Sequence, residues 1–284
     1  MELIIIFCTV GISGAIWLWF LIRYDRNRPE PLKWVLFVGV GGGLLSAFAA
    51  GTMNEWFSAW SGITFYPQSP LQALVLSIFV GINEESCKLL ATLLLAWRIK
   101  EFDEPIDALI YAMSASLGFA VFENLFYAFQ HDWTIVPLRT ITAVPGHLAF
   151  AAIWGFGIAK IKFIRQKGAY ISTILPYLGY SALIHGFYDF VLFLNTWTVF
   201  LIFPILIFLV TNAHKHLIYL TGQTPFLRVG ECHECRTINP SVARFCQMCG
   251  TSLAQEFFRV CNRCNIRVLS KTSNCFRCNT RLAE

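Results

Sequence analysis

The sequence predicts an all-α fold, a polytopic bundle of about seven transmembrane helices, followed by two small four-cysteine zinc ribbons. Three observations predict it. Hydrophobic residues make up 56% of the 284-residue chain and charged residues only 14%, against roughly 25% charged residues in a soluble domain. Apolar segments long enough to cross a bilayer recur up to about residue 220. Paired cysteines then recur at a fixed spacing in the C-terminal tail.

Seven segments contain the roughly 20 mostly apolar residues that a transmembrane helix needs. They lie at about residues 2–22, 34–52, 71–97, 105–129, 136–159, 170–194 and 198–219. None alternates apolar and polar residues as a lipid-facing strand does, which favours helices. The first segment has neither a basic n-region nor a small-residue cleavage site, so it is interpreted as a retained span. Residues 53–69 are interpreted as an interfacial aromatic anchor or a plain outer loop.

Basic residues in alternate loops predict the orientation of the bundle. Lys and Arg follow spans one, three and five, whereas residues 53–70, 130–135 and 195–197 contain neither. Because basic loops stay in the cytoplasm, the N-terminus is predicted to be outside and the tail cytoplasmic. The expected location is the cell membrane.

The tail contains two copies of one cysteine pattern, with a repeat period of 29 residues. The eight cysteines are Cys232, Cys235, Cys246, Cys249, Cys261, Cys264, Cys275 and Cys278. Paired CxxC knuckles at equal spacing are typical of four-cysteine zinc sites, so two structural zinc ions are predicted. A disulfide framework is the alternative, but it needs an oxidising compartment, whereas the predicted tail is cytosolic.

These patterns predict the domain boundaries. A transmembrane domain at 1–220 is followed by a linker at 221–229 and by ribbons at 230–254 and 255–284. The tail from residue 228 holds nine Lys or Arg against four Asp or Glu. A basic tail suits acidic protein, the inner leaflet or nucleic acid. A cytoplasmic protein partner or regulation within the chain is favoured, and nucleic acid is the less favoured partner.

Eight ionisable side chains lie inside the predicted spans, where each costs roughly 2.5 to 3.5 kcal/mol at the bilayer centre. They are Glu84, Glu85, Lys88, Glu123, Arg139, His147, His185 and Asp189. A chain that retains all of them is predicted to use them as a reaction centre. The other class of function with such residues is a transporter, channel or receptor whose ribbons recruit a partner, but the spans show no internal repeat of the transporter kind.

Helical spacing pairs several of these groups. Glu84 and Glu85 precede Lys88 by four and three residues, so the ammonium can reach either carboxylate, as a reactive or a purely structural pair. His185 and Asp189 lie one turn apart, so the carboxylate can orient the ring. Arg139 is expected either to enter the site or to extend to the outer interface.

Four motifs on successive spans carry a resemblance to a known family. They are EExxK at 84–88, FExxxY at 122–127, a single histidine at 147 and HxxxD at 185–189. In this order they resemble the PrsW-type intramembrane proteases, which are similar to the CAAX protease and bacteriocin-processing clan. The resemblance covers roughly residues 1–220, and the zinc-ribbon tail departs from the short family pattern.

The resemblance implies hydrolysis of a peptide bond in a single-span membrane protein, such as an anti-sigma factor. Glu84 and Glu85 match the family's paired glutamates, one of which activates water, and His147 and His185 match its histidines. Glu84 is expected to be the base, although exchange with Glu85 stays open.

The remaining groups are expected to support this pair of glutamates. Glu85 is expected to bond Lys88 or Arg139, and His185 to be fixed by Asp189. His147 is expected to face the oxyanion, and Glu123 belongs to the same site. Two histidines and a glutamate also suffice to bind zinc, which leaves a catalytic metal open.

The depth of these residues predicts where cleavage occurs. At a rise of 1.5 Å per residue, Glu84 lies about 20 Å and His147 about 16 Å from the outer ends of their helices. We therefore expect cleavage in the outer half of the membrane, with water entering from outside.

Overall fold

The computed structural model describes most of the bundle and separate parts of the tail. It covers residues 2–25, 29–130, 133–164, 170–194, 197–222, 232, 234–237, 239, 245–253, 258–261, 263, 267–269, 274 and 280–282. Cys264, Cys275 and Cys278, which were predicted to bind zinc, lie outside the described residues.

All regular secondary structure in the described part of the bundle is helical. Its helices are α1 Glu2–Ile22, α2 Leu32–Ser61, α3 Pro70–Ala96, α4 Asp107–Gln130, α5 Val136–Ile141, α6 Ala143–Ala159, α7 Tyr170–Phe193 and α8 Ile202–Gly222. Within α2, a π-helical segment, Phe37–Gly42, joins the α-helical parts Leu32–Leu36 and Gly43–Ser61. Short segments at Trp133–Ile135 and Trp197–Leu201 are 3₁₀-helical, and Lys160–Ile164 is π-helical. The predicted helical bundle is confirmed.

One predicted boundary was wrong, and one predicted span is interrupted. The second helix continues to Ser61, so residues 53–61 are helical and not an outer loop. The fifth predicted span is divided at Thr142 into α5 and α6. Pro145 follows closely in the first turn of α6, where a missing N–H is tolerated, so the division places proline at a helix start.

Five of the described helices are long and apolar enough to cross a membrane: α1, α2, α4, α6 with its continuation to Phe163, and α8. The helices α3 and α7 have 27 and 24 residues, which is enough to span, but they carry most of the polar candidate residues. The count of seven spans therefore stays a prediction for these two.

Glycine contacts bring α3 and α7 together near the polar residues. A side chain at Gly81 would collide with the backbone of Ala182 and Gly186, and one at Gly186 would meet the backbone of Ser77. The two helices therefore pack backbone to backbone, as small residues allow in membranes. This close crossing lies beside Glu84 and Glu85 on one helix and His185 on the other.

The start of α3 is fixed by its cap. Ser69 has an extended backbone and accepts a hydrogen bond from the Gln72 N–H at 3.3 Å, and Pro70 takes the first helical position. Both features are favoured at helix N-termini. The cap sets the start of α3, from which the polar residues of 84–88 follow about four turns later.

The described tail contains a short antiparallel pair of strands, β1 Phe258–Val260 and β2 Arg267–Leu269. Phe258 pairs with Leu269, and Val260 pairs with Arg267. Both strands lie in the predicted second ribbon, so the all-α description applies to the bundle alone.

Candidate active site

The structure brings the eight predicted intramembrane residues into one cluster. They come from five helices: α3 provides Glu84, Glu85 and Lys88, α4 Glu123, α5 Arg139, α6 His147, and α7 His185 and Asp189. The ammonium of Lys88 lies at the centre, with its side chain fully buried. It is 2.8 Å from Glu85 Oε1, 3.4 Å from Glu84 Oε2 and 3.0 Å from His147 Nδ1.

Glu85 is surrounded by donors on both carboxylate oxygens. Oε1 accepts from Lys88 at 2.8 Å and lies 2.9 Å from His185 Nδ1. Oε2 accepts from the indole N–H of Trp154 at 2.8 Å and lies 3.4 Å from the Ser181 hydroxyl, whose single hydrogen has the Phe150 carbonyl as its nearer acceptor at 2.9 Å. A fully buried carboxylate with three close donors is held in one position and is a poor candidate for taking a further proton.

Glu84 is held more loosely than its neighbour. Its contacts are the Asn54 amide at 3.5 Å, the Lys88 ammonium at 3.4 Å and His185 Nε2 at 3.8 Å. Its side chain retains 8% exposure, whereas that of Glu85 has none. The Glu84 carboxylate can therefore accept further hydrogen bonds within the cluster.

His185 lies between three carboxylates. Its Nδ1 is 2.9 Å from Glu85, and its Nε2 is 3.8 Å from Glu84 and 3.5 Å from Asp189. Glu85 thus fixes the ring more closely than Asp189 does. With carboxylates at both nitrogens, each ring nitrogen is assigned as a donor. Phe150 stacks on the ring at a centroid distance of 4.6 Å and limits its rotation.

His147 has the opposite hydrogen-bonding environment. Its Nδ1 faces the Lys88 ammonium, which can only donate, so this nitrogen is assigned as the acceptor. Its Nε2 then carries the proton and donates to Glu123 Oε2 at 2.8 Å. The two histidine rings meet edge to face, with centroids 5.3 Å apart.

Arg139 enters the cluster and does not extend to the outer interface. Its Nη2 donates to Glu123 Oε2 at 2.6 Å and its Nε to the Asn124 side-chain oxygen at 2.6 Å. The guanidinium also lies 3.9 Å from the centre of the Tyr127 ring. One oxygen of Glu123 is therefore shared between Arg139 and His147.

The cluster has more fixed negative than positive charge. Its four carboxylates carry four negative charges, and its two cations, Lys88 and Arg139, carry two positive charges. The remaining two charges must be balanced by protons, histidines or a metal ion, because unpaired charge is costly inside a membrane. Glu123 and Asp189 keep side-chain exposures of 21% and 16%, so the cluster is open on their side.

Sequence reasoning missed three contributors to this site. Asn54 was assigned to the outer loop, yet it bonds both Asn83, at 2.7 Å, and Glu84. Trp154 and Ser181 were not identified as site residues. Trp154 lies seven residues after His147 and Ser181 four before His185, so helical periodicity placed each on the face of a predicted site residue.

Three of these groups have the composition of a metal site. Single ligand atoms of Glu84, His147 and His185 all lie within 4.8 Å of one another. One ring nitrogen of each histidine also contacts a carboxylate: Nδ1 of His185 contacts Glu85, and Nε2 of His147 contacts Glu123. Such second partners commonly orient metal-binding histidines. The donor set therefore fits a zinc-like ion, although the Lys88 ammonium is the cation that contacts His147 Nδ1 in this structure.

A second candidate metal site lies in the first ribbon and consists of four cysteines. The sulfur atoms of its four cysteines lie within 4.8 Å of one another, with Cys232 and Cys249 3.5 Å apart and Cys235 and Cys246 3.4 Å apart. Backbone N–H groups of Cys249 and Met248 lower the pKa of Cys246 to about 6. Its thiol is therefore readily ionised, as zinc binding requires.

The two knuckles of this ribbon have the same backbone. Arg236 and Gly250, which each follow a CxxC pair, both have positive φ, 60° and 71°. Each donates its N–H to the carbonyl of the first cysteine of its pair, Cys232 and Cys246, at 2.9 Å. The four cysteines of this ribbon form a structural zinc site of the tetrahedral four-sulfur type.

A helical membrane bundle with a buried carboxylate and histidine cluster fits the class of intramembrane hydrolases, here with a zinc-ribbon tail. Comparison with known proteins specifies the class further. The family described as PrsW family intramembrane metalloprotease matches residues 30–213. The chain belongs to this family, so it is an intramembrane protease. The family described as double zinc ribbon matches residues 232–279.

Individual relatives agree with the family match. The chain is 32% identical over 182 residues to Protease PrsW of Geobacillus kaustophilus, which covers 63% of this chain and 76% of the relative. It is 33% identical over 134 residues to Protease PrsW of Bacillus subtilis, covering 45% of this chain and 59% of the relative. The corresponding protein of Clostridioides difficile is 29% identical over 142 residues, covering 46% and 58%. No solved structure matches the chain significantly.

Proposed function

We propose that the protein is an endopeptidase that hydrolyses a peptide bond of a single-span membrane protein, such as an anti-sigma factor-like protein. The single observation that carries this proposal is the contrast between two adjacent carboxylates. Glu85 is saturated by donors, whereas Glu84 retains acceptor capacity next to His185 and Lys88. A base must be able to accept a proton from water, which favours Glu84.

The proposed reaction uses Glu84 and His185 in turn. Glu84 takes a proton from water as the water oxygen bonds to the scissile carbonyl carbon. The carbonyl π electrons move to its oxygen, which becomes the oxyanion. When the carbonyl re-forms, the C–N bond breaks and its electron pair leaves with the amine nitrogen, which takes a proton from His185 Nε2. Glu84 then returns its proton to His185 Nε2 across the 3.8 Å that separates them.

The other groups hold these two residues and the oxyanion. Glu85 keeps the His185 ring oriented, and Asp189 stabilises the ring when it is protonated. His147 donates its Nε2 proton to Glu123 in this structure, and we propose that the same proton is offered to the oxyanion when substrate binds. Arg139 holds Glu123 in place during this exchange.

A bound metal ion is the alternative to this metal-free reaction, in which Glu84 and His185 transfer protons. Glu84, His147 and His185 would hold it, and a bound zinc ion would supply a Lewis acid and an acidified water. Glu85 and Glu123 would orient the two histidines in either case. The family description as a metalloprotease and the excess of carboxylates over Lys88 and Arg139 support the metal-bound form.

The proposed orientation follows the basic loops and places the N-terminus outside the cell membrane and the ribbons in the cytoplasm. Cleavage is then proposed in the outer half of the membrane or just beyond it, with water entering from outside. Cysteine labelling at positions 84 and 147 should show access from the outside only. Access from the cytoplasm alone would contradict this arrangement.

Co-expression with candidate single-span membrane proteins tests the proposed function. The wild type should release a soluble fragment, and Glu84→Gln and His185→Ala should each release none while remaining in the membrane. Asn212→Ala is the matched control, because Asn212 bonds only its own helix, at the Phe208 carbonyl, among the contacts described. Fragment release by Glu84→Gln at the wild-type rate would contradict the role of Glu84.

We propose that the zinc ribbons select substrates or regulate cleavage through a cytoplasmic protein contact. A basic module attached directly after the last helix is suited to dock an acidic cytoplasmic domain. Deletion of residues 225–284 should change cleavage of substrates that have a cytoplasmic domain and spare those without one. Unchanged cleavage of every substrate would remove this proposal.

A further inference from the structure

An apolar cavity lies outside the candidate active site, between α1, α4, α6 and α8. It has a volume of about 220 Å³. Its walls include Trp17, Met113, Leu148, Ala149, Ala213 and Leu217. Such walls offer a polar group almost no hydrogen-bond partner, so the cavity suits a hydrocarbon chain.

A second cavity, of about 640 Å³, continues the first towards the end of α1. Both cavities are lined by Phe20, Tyr24 and His214, and the second adds Arg23 and Asp25. Tyr24 and His214 are hydrogen-bonded at 2.7 Å where the two meet. The two cavities adjoin at these three residues and are together called the slot, apolar at one end and charged at the other.

The charged end of the slot contains both signs of charge. Arg23 is exposed, with its guanidinium 4.3 Å from the centre of the Trp19 ring. Asp25 is only 6% exposed. Its Oδ2 accepts the backbone N–H of Glu30, whereas its Oδ1 is buried and accepts no hydrogen bond from the described residues. A buried carboxylate oxygen in this state is costly, and a ligand ammonium could supply the hydrogen bond that it lacks.

We propose that this slot binds one molecule of phosphatidylethanolamine. An acyl chain occupies the apolar cavity, the phosphate pairs with Arg23, and the primary ammonium donates to Asp25 Oδ1. Basic pockets between transmembrane helices on the cytoplasmic side are a recurrent form of lipid site. The basic loop after span one puts the charged end on that side.

The acid distinguishes this lipid from other common phospholipids. Phosphatidylglycerol has no ammonium, and the Asp25 carboxylate would repel its net negative charge. Phosphatidylcholine has a quaternary ammonium without an N–H and cannot donate to Asp25. Burial and the nearby Asp103 raise the pKa of Asp25 to about 6, and a bound ammonium would reverse this destabilisation of the carboxylate.

Native mass spectrometry of the delipidated full chain tests the proposal with three lipids of identical acyl chains. Phosphatidylethanolamine should be retained at one molecule per chain, with about tenfold higher affinity than phosphatidylcholine or phosphatidylglycerol, as expected for one buried charge-assisted hydrogen bond. Asp25→Asn should abolish the preference over phosphatidylcholine. Arg23→Gln should weaken the binding of both phosphatidylethanolamine and phosphatidylcholine. Ala213→Phe should fill the apolar cavity and abolish lipid retention.

Arg98→Gln is the control, because it removes an exposed cation near the same predicted surface without lining the slot. Equal retention of the three lipids by the wild type, or a preference for phosphatidylglycerol, would overturn the proposal without any variant. A preference that persists in Asp25→Asn would overturn the role of the carboxylate. Cleavage activity is not used as a readout, so the result is independent of the proposed function.

Discussion

Trp154 donates its indole N–H to Glu85 at 2.8 Å across the interface between α6 and α3. Both side chains are fully buried. This contact occupies the oxygen of Glu85 that faces away from Lys88, and it separates the roles of two adjacent, chemically identical residues. Glu85 becomes part of the framework of the site, whereas Glu84 keeps the freedom to react.

Replacement of the two glutamates should have different consequences. Glu84→Gln should lower cleavage by about 10²- to 10⁴-fold, the typical contribution of a general base, with little change in thermal stability. Glu85→Gln should abolish cleavage and also destabilise the fold by about 3 to 5 kcal/mol, because it leaves the buried Lys88 without its nearest carboxylate. Thermal unfolding in detergent and fragment release measure the two effects. Equal stability of both variants would contradict the division of roles.

Trp154→Phe should lower stability by about 1 to 3 kcal/mol, because the Glu85 oxygen loses a donor in a buried environment. Cleavage should fall as the position of Glu85 relaxes. Trp56→Phe is a suitable control, since Trp56 is 63% exposed and lies away from the site. If both substitutions had the same effect on unfolding, the indole bond would have no special importance.

Asn54→Ala should reduce the turnover number about tenfold with little change in KM. Asn54 links α2 to Asn83 and Glu84, and a bond to a charged group contributes roughly 1.5 to 3 kcal/mol. Steady-state cleavage of a purified substrate measures both constants. A change in KM alone would instead place Asn54 in substrate binding.

Metal analysis should give two zinc ions per chain if only the ribbons bind zinc. Cys246→Ser should then reduce the content to one, since this cysteine is part of the four-sulfur site. A third ion that is lost in His185→Ala would establish the Glu84, His147 and His185 site as a metal centre. Retention of a third ion in that variant would place it elsewhere.

The free energy of unfolding should decrease as the pH rises from about 4 to 6, because of the buried Asp25. Burial raises the pKa of Asp25 from its ordinary value of 3.8 to about 6, so the folded state binds the proton more tightly and loses this advantage as the pH rises. The predicted loss is about 3 kcal/mol. Asp25→Asn should reduce this pH dependence without removing it, because burial also raises the pKa of the neighbouring Glu30 to about 7, and thermal unfolding in detergent without phospholipid measures the difference. A transition unchanged by the substitution would assign it to other groups.

The sequence by itself determined the helical membrane bundle and the zinc ribbon. Apolar spans of about 20 residues and the 29-residue cysteine repeat are local patterns. The apolar spans predict helices because backbone groups in lipid must form hydrogen bonds within the segment, and the cysteine repeat predicts zinc coordination. Neither argument needs knowledge of the fold. The four motifs also identified the family, because each motif lies within one helical segment.

Only the tertiary structure decided how these groups meet. The distinction between Glu84 and Glu85 depends on Trp154, Ser181 and Asn54, which lie far away in the chain. The sequence placed Asn54 outside the membrane because the run of polar and aromatic residues after Met53 hid the continuation of α2. Helical periodicity predicts which residues share one face of a helix. Close crossings, such as the one at Gly81 and Gly186, determine which helix packs against that face.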